Sequence, residues 1–158
     1  MTGPIAPEKS LRILVDADAC PVKEEIYKVA LRHKVPIAIV SNSAFRIPRN
    51  DLVRRVVVSD GFDAADDWIA DEASATTIVI TADILLAERC LKGGATVLGN
   101  TGKPFTMNSI GSAIATRAIM ADLRAGADGM TGGPPPFSKA DRSRFLSALD
   151  EALVRMKR

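Results

Sequence analysis

Short apolar runs that alternate with helical stretches limit this chain to an α/β fold. The first run, Ile13-Leu14-Val15, ends in the acids Asp16 and Asp18, and further runs follow at Pro36 to Val40, Val56 to Val58, Thr76 to Asp83 and Ala95 to Leu98. Runs that are apolar throughout, without alternation, suit strands buried on both faces. Between them, 22–34, 62–75 and 84–92 carry apolar residues at helical spacing, and His33-Lys34 before Pro36 and Gly93-Gly94 provide stop signals. Strands joined through helices of about three turns require right-handed crossovers. The expected architecture is a three-layer α/β/α domain with a mostly parallel, roughly five-stranded sheet.

The chain of 158 residues is expected to be one domain that buries roughly two thirds of its unfolded surface. Residues 1–10, with Pro4 and Pro7, read as a loose leader. Ser109 to Arg124 reads as a helix, 126–137 as a Gly/Pro-rich loop with three consecutive prolines, and 138–157 as a last helix capped by Ser138. Cys20 and Cys90 make neither a zinc pattern nor a disulfide framework, so a reducing cytoplasm is expected. No apolar run approaches a membrane span, and the first residues lack the layout of a secretory signal. A net charge of +2 is too small to imply nucleic acid by itself.

The distribution of charge says more. In open parallel sheets, ligands bind beyond the carboxyl ends of the strands, which is where Asp16 and Asp83 fall. If the first and fourth strands are neighbours, the helix carrying Asp66 and Asp67 aims at the same edge. Clustered carboxylates repel and raise one another's pKa, so such a group normally holds cations. Oxygen ligands without His or Cys partners favour Mg²⁺ or Mn²⁺, as one ion or two. Asp63, Asp67 and Asp71 share a helix face from which Asp66 is offset. Asp67 is therefore the expected inward ligand, Asp66 a second or water-mediated one, and Asp63 either outer support or simply an acid favoured by the helix dipole.

These residues carry a resemblance. Asp16 after its strand, Ala65-Asp66-Asp67-Trp68-Ile69-Ala70, and Ile78-Val79-Ile80-Thr81-Ala82-Asp83 resemble, in that order, the acidic motifs of the PIN-like nuclease superfamily, especially the 5′ nuclease domains of bacterial DNA polymerases. Over more of the chain, Val15-Asp16-Ala17-Asp18-Ala19-Cys20-Pro21-Val22-Lys23 resembles the YaiI/YqxD family of uncharacterised bacterial proteins. The wider resemblance implies a single PIN-like domain, metal binding by Asp16, Asp66 or Asp67, and Asp83, catalysis through Asp16, Asp67 and Asp83, and RNA or DNA as substrate. The chain departs from the superfamily after Asp83, where Ile84-Leu85-Leu86 follow, and after the fifth strand, which runs to Asn100.

Around this centre, Asp18 either ligates a metal or caps the first helix. Cys20 would have a lowered thiol pKa at a helix N-terminus, but with His33 at the helix's far end we favour a packing role. Lys23 opposes the helix dipole, which a substrate phosphate would explain as well as a plain surface position does. Asn42, Ser43 and Arg46 are candidate phosphate contacts, with Arg49, Arg54 and Arg55 as a basic flank. Asn100 is candidate site support in a glycine-containing loop that only loosely resembles a phosphate-binding one. Two rival functions stand beside a nuclease. One resembles a haloacid-dehalogenase phosphatase, with Asp16 as nucleophile, Asp18 as acid and Ser41 on the phosphoryl group. The other is a non-catalytic module binding nucleic acid or protein.

Overall fold

The computed structural model describes residues 10–17, 20–44, 46–59, 61, 63–112, 114–115 and 137–157. In chain order the elements are β1 (Arg12–Asp16), α1 (Lys23–His33), β2 (Ile37–Ser41), β3 (Val53–Val57), α2 (Ala64–Glu72), β4 (Thr77–Ile80), α3 (Ile84–Lys92) and β5 (Thr96–Leu98). They are followed by α4, helical at 107–112 and 114–115, and α5 (Lys139–Met156). The five strands form one parallel sheet in the order β3-β2-β1-β4-β5. The expected three-layer arrangement and the pairing of the first and fourth strands are both present.

Side-chain parity in β1 sorts the layers. Ile13 and Val15 pack with Ile26 and Val29 of α1 and with Phe145 and Leu149 of α5, whereas Leu14 packs with Ile69 of α2, Leu86 of α3 and Ile110 of α4. Alternate strand residues face opposite sides, so Asp16 falls on Leu14's side, toward α2 and α3. The chain builds outward from β1 to β3 and then returns to β4 on the other side of β1. The crevice between β1 and β4 is thus the switch point of the sheet, where open α/β folds place their ligands.

Several boundaries differ from the sequence reading. The third strand begins at Val53 rather than Val56, which places Arg54 and Arg55 of the expected basic flank within the sheet. As an edge strand, β3 tolerates exposed charge. Helix α2 is shorter than 62–75: Asp63 takes a left-handed φ of 68° at its start, and the Ser74 hydroxyl bonds Thr77 Oγ1 at 3.0 Å beyond its end. Helix α1 spans Lys23–His33 rather than 22–34, with Val22 as its N-cap. Helix α4 begins at 107 instead of Ser109, because Thr106 and Ser109 exchange reciprocal backbone-to-hydroxyl bonds of 2.8 and 3.0 Å. The reading of α4 to Arg124, most of the Gly/Pro-rich loop and most of the leader lie outside the described residues.

Helix α5 starts as expected, with Ser138 Oγ accepting from Asp141 N–H at 3.1 Å and Asp141 returning a carboxylate to Ser138 N–H at 3.0 Å. It is tied to α1 by Asp150, which meets His33 Nε2 at 2.6 Å and Arg32 at 2.9 Å. The His33 side chain is therefore the satisfied helix-end residue the sequence implies. The loop after β5 folds back through a Leu98–Pro104 bridge and seats Gly102 against α5.

Gly102 has φ +85°, and a Cβ there would stand 2.7 Å from Ala148 Cβ. We expect Gly102→Ala to destabilise the fold by about 2 kcal/mol, combining backbone strain with overpacking. Gly94→Ala, strained in its backbone but with 3.6 Å of room, should cost about 1 kcal/mol. Urea denaturation of both variants tests the ordering, which equal losses would contradict.

Candidate functional site

The centre is built from the ends of β1 and β4. Asp16, the last residue of β1, accepts a hydrogen bond at Oδ2 from the Thr81 hydroxyl at 2.9 Å. Thr81 is 2% exposed, and its Oγ1 also accepts from the Asp83 N–H at 3.0 Å. One hydroxyl thus fixes the strand-one carboxylate and the turn carrying Asp83. Asp83 is the N-cap of α3, its Oδ1 accepting from Leu85 and Leu86 N–H at 2.9 and 3.2 Å. In the sequence Thr81 stands only as part of the fourth apolar run. A hydroxyl two residues before an Asp that caps a helix is the turn pattern that signals its role.

Helix α2 adds the third carboxylate. Asp66 is pushed up from 3.8 to about 6, first by burial, then by the charges of Asp83, Asp16 and Asp63, with Arg89 acting against them. Asp67 is exposed and pairs with Arg89 of α3 at 3.0 Å. Asp66, not Asp67, is therefore the α2 acid that shares the charge environment of Asp16 and Asp83. Ile69 decides the helix rotation: it is fully buried, and Asp66, three residues earlier, lies on its face. Asp63 stands at the helix start without a capping bond from its side chain, as outer charge near Asp66.

The donor set of carboxylate oxygens suits a hard divalent cation, and the mutual repulsion on Asp66 is the burden such a cation relieves. The spacing is less complete. Among the described residues, no three His, Cys, Asp or Glu side chains converge into a ready metal cage. Asp18, the candidate ligand or cap, lies outside the described residues.

Next to Asp16, Ala17, Cys20, Pro21, Lys23 and Asn100 line an open depression of about 390 Å³. This brings together Lys23 at the start of α1 and Asn100 of the loop after β5, far apart in sequence. Burial pushes the Cys20 thiol up, outweighing the helix-side hydrogen bond at Val22 and the charge of Lys23. That direction is opposite to the lowered thiol of a reactive cysteine, and Cys20 packs against the core beneath α1. Asn42, Ser43 and Arg46 are exposed just past β2, the neighbour of β1. Ser41, by contrast, is buried and accepts from Ser43 N–H at 3.2 Å.

A family model described as "Uncharacterized BCR, YaiI/YqxD family" matches residues 14–155, and the chain belongs to that family. It is 72% identical over 146 residues to a UPF0178 protein of Sphingopyxis alaskensis, covering 92% of this chain and 95% of the relative. A UPF0178 protein of Jannaschia sp. is 58% identical over 92% of this chain and 94% of its own length. Another, from Azorhizobium caulinodans, is 56% identical over 97% and 96%. No solved structure gives a significant match. No described helix is long and apolar enough to cross a membrane.

The Asp66 environment predicts a pH signature. An acid whose pKa is higher folded than unfolded costs stability once both states ionise, so this contribution falls as pH rises from about 4 to about 6 and stays lost above. Asp66→Asn should remove that slope. At pH 7 it should be more stable than the parent by about 1 kcal/mol after allowance for solvent screening. Urea midpoints at pH 4 and pH 7 check this, and an Asp66→Asn variant that parallels the parent at both would contradict it.

Proposed function

We propose that this protein is a metal-dependent nuclease of PIN-like type, hydrolysing phosphodiester bonds of RNA or structured nucleic acid. What supports the reading is the placement of Asp16 and Asp83 beyond β1 and β4 at the switch point of the parallel sheet, tied together through Thr81, with Asp66 near enough to feel both charges in addition to its burial. Asp16, Asp66 and Asp83 would hold one or two Mg²⁺ or Mn²⁺ ions, with Asp67 at the margin. When bound, the cation would acidify water and neutralise charge on the phosphate. Thr81 holds the Asp16 carboxylate in place through its 2.9 Å bond, and α3 holds Asp83. Lys23, with Asn42, Ser43 and Arg46 past β2, would receive phosphates flanking the centre, fixing the strand without reading its sequence.

The phosphatase alternative is weakened because the Ser41 hydroxyl is buried in its own turn rather than offered to a phosphoryl group. A non-catalytic binding module is the second reading, favoured by the lack of a ready metal cage among the described residues.

Calorimetric titration with Mn²⁺, followed by cleavage assays on single-stranded, duplex and flap substrates, tests the proposal. Asp16→Asn and Asp66→Asn should each lower cleavage by about a hundredfold or more, the scale of lost transition-state charge stabilisation. Asp67→Asn, which breaks only the Arg89 pair, should lower it less than tenfold. Cation binding and cleavage that survive Asp16→Asn would overturn the proposal. Salt-dependent binding without turnover in any divalent ion would leave the binding module standing in its place.

A further inference from the structure

Beside the carboxylate centre lies a second depression, of about 350 Å³, whose walls include Ala82, Ile84, Pro104 and Phe105, with Thr101 and Lys103 among its polar residues. Ala82 and Ile84 flank Asp83 in sequence, so the depression opens directly next to the proposed scissile position. We infer that it binds one unstacked nucleobase of a single-stranded nucleic acid, with the ring of Phe105 as its stacking surface. The inference rests on the nucleic-acid reading of the same edge.

Five observations support this occupant. The lining combines apolar walls with polar residues, which matches a planar heteroaromatic with apolar faces and hydrogen-bonding edges. Phe105 is only partly buried, whereas Phe145 in the other layer is fully enclosed. Its position is preformed: Phe105 N–H donates to Val97 O at 2.9 Å, and its ring lies 3.5 Å from where Gly99 would carry a Cβ. A preformed wall loses little freedom on binding.

The apolar character also extends outward. Leu85, at the start of α3, is 52% exposed and Met107, at the start of α4, is 50% exposed, although both elements contribute their neighbours Ile84 and Ser109 to the depression. Charge completes the argument. An acidic centre repels a polyanion, so affinity must come from neutral stacking and from cations placed to the side. Lys103 is exposed on the rim, and Asn100 lines both this depression and the one containing Lys23. A strand crossing the edge would thus place a base on Phe105 and a phosphate near Lys23, with Asp83 and Asp16 between them.

The test is a titration of the isotopically labelled full chain, without divalent ions, followed by amide shifts. The probes are adenosine 5′-monophosphate, ribose 5-phosphate and a single-stranded hexanucleotide. We expect shifts at 99–105 with the nucleotide, tighter binding with the hexanucleotide, and no such shifts with ribose 5-phosphate. Phe105→Leu should weaken hexanucleotide binding roughly tenfold or more, while Phe105→Tyr preserves it. Lys103→Ala, on an exposed side chain, should weaken the hexanucleotide severalfold and steepen no other loss.

Ribose 5-phosphate acting as well as the nucleotide would overturn the inference in favour of a phosphate site. So would shifts that avoid 99–105, nucleotide binding without hexanucleotide binding, or a folded Phe105→Leu that binds unchanged. If Phe105→Leu fails to fold, the wild-type comparison of the three probes still decides. Since no divalent ion is present, these outcomes are independent of cleavage: a protein that cuts but shows no base dependence fails here alone, and one that binds bases but never cuts fails only the nuclease reading.

Discussion

The burial of β1 on both faces is the constraint on which the site depends. Ile13, Leu14 and Val15 are all fully excluded from solvent, with one helical layer taking the first and third and the other taking the second. A strand held so tightly has no freedom of register, because a one-residue slip would exchange its two faces. Asp16 is consequently delivered to the α2 and α3 side at a fixed height. Its carboxylate accepts the Thr81 hydroxyl, which helps to orient it.

The neighbouring elements converge on that point for reasons of packing rather than charge. Ile69 turns α2 so that Asp66 looks toward the crevice and Asp67 looks outward to Arg89. Asp83 reaches the same edge because it caps α3, its carboxylate answering two backbone N–H groups. Local structural needs thus assemble acids that electrostatics would separate. Burial of Asp66 first, and the charges of Asp83 and Asp16 after it, push its pKa up.

The loop after β5 extends this edge sideways. Gly102 seats it on α5, the Leu98–Pro104 bridge returns it, and Phe105 is left beside Asp83's neighbours. An acidic centre, a depression with Lys23 and a depression with Phe105 are therefore joined on one surface, with Asn100 lining both depressions. The helices α1 and α5, locked through Asp150, support the opposite layer, and α5 also seats the loop through Gly102.

The alternation of apolar runs and helical spacing determined the architecture, because a run apolar at every position satisfies only a strand covered on both sides. It also determined that Asp16 ends one strand and that Asp83 lies just past another, and that Ser138 begins the last helix, since caps act within a few residues. What the tertiary structure decided was rotation and partnership. Counting the Asp63, Asp67 and Asp71 face pointed to Asp67, but the buried face of α2 is chosen by Ile69's packing, which periodicity in a short, mixed helix does not specify. The third strand was misplaced for a related reason: Arg54 and Arg55 interrupt an apolar run, and only the sheet order makes β3 an edge where charge is tolerated. Cys20 likewise sits near a helix start whose field lowers a thiol pKa, yet the core beneath α1 buries it, and desolvation outweighs the local field.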